Sequence, residues 1–141
     1  MSATSKVKDC LFCKIAAKEI PAQVIYEDDR TIAFLDIMPR SPGHTMVIPK
    51  FHAPNSLELP DSEVAPLFAA VKKVADMLSQ KLRSDGMTVG INQGRASGQE
   101  VDHLHVHLMP RWQGDGGSAV QSVVNNKPKE SLEEMRKKII G

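Results

Sequence analysis

His103-Leu104-His105-Val106-His107-Leu108-Met109-Pro110-Arg111 alternates three histidines with apolar residues. In an extended strand successive side chains point to opposite faces. The spacing therefore predicts a strand with all three imidazoles on one face and Leu104, Val106 and Leu108 on the other. One face is chemical and the other is core. Imidazole titrates near neutrality, so this row can supply a nucleophile, a proton carrier or a metal ligand. Histidines two apart on a strand also suit a metal, which needs a further ligand from elsewhere and, for catalysis, an open coordination position. The spacing alone leaves these uses open, beside a purely structural cluster.

Working outward, Asn92 to Glu100 before this strand is a glycine-bearing loop, and Met87 to Ile91 reads as a strand leading into it. Between Asp61 and Ser84-Asp85-Gly86, the residues Val64, Leu67, Phe68, Val71, Ala75, Leu78 and Leu82 recur at helical spacing, which predicts one long helix. Asp61 is placed to cap it, and Pro66, lacking an amide hydrogen, predicts an irregular first turn. Further upstream, His44 to Pro49 is an apolar strand entered from the loop Pro39-Arg40-Ser41-Pro42-Gly43. Val24 to Glu27 and Thr31 to Asp36 read as a hairpin around Asp28-Asp29-Arg30, and Leu11 to Ile20 as a short helix ending at Pro21. Downstream, Trp112 to Gly117 is a loop. Ser131 and Glu134 have capping-box spacing ahead of a last helix whose thin stripe, Leu132, Met135 and Ile139, suits packing on the body or on a partner.

A chain of 141 residues with no break in composition predicts a single domain spanning residues 1–141, with a core over about 10–112 and a tail over 113–141. Eighteen basic and 17 acidic residues give a net charge of +1, which offers no electrostatic footprint for nucleic acid or an anionic membrane and favours small molecules as partners. No apolar run is long enough to span a bilayer, and Met1 to Asp9 is polar, so the expected location is the cytoplasm. Two cysteines, Cys10 and Cys13, are too few for a secreted disulfide framework. A thioredoxin-like pair should open a helix after a buried strand, and only nine mostly polar residues precede this one. Metal ligation is thus the better reading.

Asn92, Gly94, Gly98 and Gln99 ahead of the triad, and Pro110-Arg111 behind it, together resemble the histidine triad family of nucleotide hydrolases and transferases. The resemblance runs from Cys10 to about Trp112. It takes in Cys-Leu-Phe-Cys-Lys-Ile, Ala33-Phe34-Leu35-Asp36, Gly43-His44-Thr45-Met46-Val47-Ile48-Pro49-Lys50 and His52. It implies an α+β fold with an antiparallel sheet of about five strands, one long helix, a C-terminal helix and a homodimer. By the same resemblance His105 is the nucleophile that forms a covalent nucleotidyl-histidine, oriented by the main-chain carbonyl of His103. His107 contacts the phosphate and steadies its charge. Asp36 and Ile37 face the nucleoside, Asp36 through the ribose hydroxyls, while Asn92, Gly98 and Gln99 line ribose and phosphate. His44 lies near the phosphate.

The implied activity is hydrolysis of nucleoside phosphoramidates or related nucleoside 5′-monophosphate adducts with a purine base, such as adducts of AMP or GMP. Cleavage of dinucleoside polyphosphates and slow-turnover nucleotide-binding regulation are the alternatives. A third histidine speaks against the uridylyltransferase branch, which carries glutamine there. Zinc-binding members imply a closed structural zinc site on Cys10, Cys13, His52 and His103. One departure stands out: the family commonly has serine or threonine where this chain has Glu100, and a carboxylate cannot donate to phosphate, so Glu100 is expected to turn away or to meet a cationic leaving group.

Overall fold

The computed structural model describes residues 7–141. The first helix, α1 (Leu11–Ala16), leads into a hairpin of β1 (Val24–Glu27) and β2 (Thr31–Leu35). Asp28 closes that hairpin: its Oδ1 accepts the amides of Arg30 and Thr31, each at 2.8 Å. A short side chain bonding the backbone two and three residues on is what makes a polar Asp turn tight. Strand β3 (Thr45–Pro49) runs antiparallel to β2 from Leu35↔Thr45 to Thr31↔Pro49. Helix α2 (Asp61–Leu82) then crosses to β4 (Gly86–Gly90) and β5 (Val106–Arg111). The result is the expected α+β fold, an antiparallel five-stranded sheet in the order β1-β2-β3-β5-β4. Helix α3 (Leu132–Ile140) follows in the tail.

The sheet separates two apolar layers. On one face Leu67, Val71, Val74 and Leu78 of α2 pack on Val47, Leu104, Val106 and Leu108. Each such fully buried side chain contributes about 1.5–3 kcal/mol relative to exposure. On the other face Phe12 and Ile15 of α1 cover Ile32, Phe34, Met46 and Ile48, and both cysteines join this layer. The alternation read from the histidine stretch therefore holds: its apolar residues enter the α2 layer, and its histidines lie on the α1 side.

Several boundaries differ from the sequence reading. Strand β5 begins at Val106, so His103 and His105 precede it. The reason is a change of partner: β3 pairs with β5 only from Val47↔Val106 onward, while the Leu104 amide turns to the Ala53 carbonyl at 2.7 Å. Helix α1 stops at Ala16, ahead of Pro21, because Lys18 adopts the left-handed conformation at φ 64° and the Lys18 and Glu19 amides close back on the carbonyls of Ile15 and Lys14. Helix α2 is capped at Pro60 without a side-chain bond, so Asp61 is its first residue and not its cap. Pro66 leaves the helix continuous, since near the start it forfeits only one bond. Of the predicted stripe, Leu67, Val71 and Leu78 are buried, whereas Val64, Phe68 and Leu82 are exposed. The capping box of Ser131 and Glu134 forms as read, yet α3 buries no residue and Leu132 and Ile139 face solvent, so the stripe does not pack on the body.

Candidate active site

Two histidine clusters sit on the α1 side of the sheet. In the first, Cys10 caps α1, its sulfur accepting the Cys13 amide at 3.3 Å, and this short N-terminal turn aims both sulfurs at one point. His52, beyond β3, and His103, ahead of β5, meet them there. The His103 Nδ1 atom lies 3.3 Å from Cys10 Sγ, 3.5 Å from Cys13 Sγ and 3.3 Å from His52 Nδ1, and Cys13 Sγ lies 3.3 Å from His52 Nδ1. A tetrahedral zinc with bonds of roughly 2.0–2.3 Å sets its donor atoms roughly 3.3–3.8 Å apart, so the four residues fit that ion. The outer shell fits too. His103 Nε2 donates to the Pro49 carbonyl at 2.8 Å, which leaves Nδ1 as the bare nitrogen, and the Val7 amide donates to Cys13 Sγ at 3.4 Å. Burial drives the His103 pKa down to about 4 and lowers that of His52, keeping both imidazoles in the neutral form a metal requires.

The second cluster holds His44, His105 and His107. His105 Nδ1 donates to the main-chain carbonyl of His103 at 2.7 Å, so the proton is fixed on Nδ1 and Nε2 carries a lone pair. His107 is set through a chain of bonds that starts at a group able only to donate. The Arg40 amide gives its hydrogen to His44 Nδ1 at 3.1 Å, which puts the His44 proton on Nε2. From there it points to His107 Nδ1 at 2.9 Å, leaving His107 with its own proton on Nε2. Burial, with charge from His105 and His44 adding to it, holds the His107 pKa at about 4; burial also lowers that of His44, against the pull of Asp36. The His105 and His107 rings lie 5.0 Å apart. A bare nitrogen on His105 thus stands beside an N–H donor on His107. That pairing suits attack on an electrophile whose oxygens carry charge.

The remaining predicted residues divide. Asp36 lies just past β2, its Oδ1 accepting the Met38 amide at 2.8 Å and its Oδ2 3.6 Å from His44 Nε2. An open hollow of about 440 Å³ lies between Asp36, Arg40 and His44. Ile37, next to Asp36 in the chain, is 93% exposed. Gly94 and Gly98 adopt φ of 84° and 103°, so the loop needs glycine for its backbone path. Asn92 borders Gly98. The Gln99 side chain is buried, accepting from the Gly94 amide at 2.8 Å and donating to the carbonyls of Pro54 and Val101. These bonds shape the loop. Glu100 is exposed. Sequence reading missed the anchors that set the tautomers, the carbonyl of Pro49 and the amide of Arg40. Backbone groups carry no residue-type signal.

This arrangement of fold and triad has a family. Residues 17–114 match the HIT domain, and the chain belongs to the HIT family, whose proteins are generally nucleotide hydrolases. It is 46% identical to an uncharacterised HIT-like protein of Methanocaldococcus jannaschii over 94% of this chain and 99% of that one. It is 39% identical to an adenylylsulfatase of Arabidopsis thaliana over 76% of this chain and 54% of that one. Among solved structures it resembles the histidine triad nucleotide-binding protein of Candida albicans with a TM-score of 0.77 and 32% identity, over 93% of this chain and 94% of the other.

Proposed function

We propose that this chain hydrolyses nucleoside phosphoramidates or related nucleoside 5′-monophosphate adducts through a covalent nucleotidyl-His105. The observation that carries the reading is the fixed tautomer pair, with the lone pair of His105 Nε2 beside the Nε2–H of His107. His105 Nε2 forms a bond to the α-phosphorus as the bond to the leaving group breaks. The His107 N–H donates to the transferred group as its charge grows. Water then attacks phosphorus, releasing the monophosphate and restoring His105. Asp36 accepts from the vicinal ribose hydroxyls, Ile37 covers the base, and Asn92 and Gly98 line the ribose and phosphate while Gln99 holds their loop. The name of the Arabidopsis relative, an adenylylsulfatase, supports a nucleoside monophosphate adduct as the substrate class.

Cys10, Cys13, His52 and His103 would hold a zinc ion that supplies structural cross-linking, with all four positions filled by protein. A homodimer, a cytoplasmic location and a single domain over the whole chain belong to the same reading. No helix among the described residues is long and apolar enough to cross a membrane.

The test is single turnover of an adenosine phosphoramidate followed by mass spectrometry of the protein. Wild type should gain one nucleotidyl mass on His105 and release AMP, while His105→Ala should do neither. Release of AMP by His105→Ala at the wild-type rate would overturn the mechanism. Tight AMP binding by calorimetry with no hydrolysis of any adduct would favour the regulator instead, and faster turnover of dinucleoside polyphosphates would move the substrate class.

A further inference from the structure

One buried aromatic residue is common to both histidine clusters. Phe12 stands between the two cysteines at the start of α1 and is 4% exposed. Its ring meets that of His105 at 5.1 Å between centroids and 87° between planes. It meets His103 at 6.0 Å and 72°, and Phe34 braces it at 5.4 Å and 70°. These are edge-to-face contacts, the geometry that aromatic quadrupoles favour. The His105 ring is otherwise held by one hydrogen bond, from Nδ1 to the His103 carbonyl, and by an edge contact with the His107 ring at 5.0 Å. A single hydrogen bond permits rotation about its own axis, and the Phe12 ring, packed edge-on against His105, opposes that rotation together with the His107 ring. His105 also precedes β5, so no sheet ladder rigidifies its backbone.

We propose that Phe12 is a positioning residue for the reaction. It clamps the His105 imidazole so that Nδ1 stays on the His103 carbonyl and Nε2 faces the substrate. The proposal rests on His105 as nucleophile. Because the cysteines on either side of Phe12 belong to the four-residue cluster, the same turn that gathers those donors also seats the clamp. Phe12 touches no reacting atom in this account. Its effect lies in the fraction of time the nucleophile spends aligned.

The test compares Phe12→Met, which replaces the ring by a flexible apolar chain that fills most of its space, with Phe12→Tyr, which keeps the ring. Nitrogen NMR of the histidines should show His105 in one tautomer, protonated on Nδ1, in wild type and Phe12→Tyr, and in exchange between tautomers in Phe12→Met. With an adenosine phosphoramidate, Phe12→Met should lose about ten- to a hundredfold in kcat. Its AMP affinity by calorimetry and its metal content should stay within about twofold of wild type. Phe12→Tyr should retain most of kcat. The proposal falls if Phe12→Met keeps wild-type kcat, if the His105 tautomer is unchanged while kcat falls, or if AMP affinity drops in step with kcat/KM, which would make Phe12 a nucleoside contact. Failure of the underlying mechanism reads differently: wild type itself would then carry no nucleotidyl mass on His105.

Discussion

At the scale of single residues, the site is a problem in tautomers, and it is solved by groups with only one hydrogen-bonding option. The Arg40 amide can only donate and the His103 carbonyl can only accept, so each fixes the ring next to it. His44 is the link between the Arg40 amide and His107. His44→Ala should lower kcat by about 10²-fold, within the usual range for one proton-managing group, with a smaller effect on nucleotide affinity; equal losses in kcat and affinity would argue against the link. A pH dependence follows from His107, whose pKa burial lowers from 6.5 to about 4. Below pH 6.5 the unfolded chain takes up a proton that the folded chain refuses until about pH 4, so stability is fully present above pH 6.5 and drains as pH falls toward 4. Partial exposure limits the effect to roughly 2 kcal/mol. Urea midpoints measured from pH 7 to 4.5 should fall more steeply for wild type than for His107→Asn.

At the scale of elements, period and punctuation carried most of the reading. Alternation placed Leu104, Val106 and Leu108 in the α2 layer, and Ser131 with Glu134 marked the start of α3. The misplaced boundaries are those set by tertiary partners: the turn of Leu104 toward Ala53 delays β5, and the left-handed Lys18 ends α1 before any proline is reached. The triad's spacing alone left its use open; the two clusters were legible through the family resemblance, which joined His52 and His103 to the cysteines and His44 to the triad. The commitment of Gln99 was not, since an amide facing a ligand and an amide facing the backbone read alike in sequence. The loop before β3 offers a direct test of element geometry. Gly43 sits at φ 82°, and a Cβ there would collide with Leu82 and press on Pro110. Gly43→Ala should cost about 1–3 kcal/mol in chemical denaturation, through strain and overpacking together. A loss under half that would show that the α2 end yields easily.

At the scale of the whole molecule, the sheet is tied to its N-terminal segment by the Cys10, Cys13, His52 and His103 cluster, which brings residues from α1, the loop after β3 and the approach to β5 to one point. Zinc analysis should return about one ion per chain for wild type, and Cys13→Ser should lose it with a fall in Tm of several degrees. Wild type purified with thiols reduced and no chelator, but free of metal, would refute that site. The Gln99 lock has a further consequence, in the currency of binding entropy. A loop whose own amides already hold it, through Gly94, Pro54 and Val101, does not have to freeze when a nucleotide arrives. Its ordering cost is met during folding, so a calorimetric titration with AMP should show little of the unfavourable entropy typical of loop closure, and release of the product monophosphate need not wait for a lid to open.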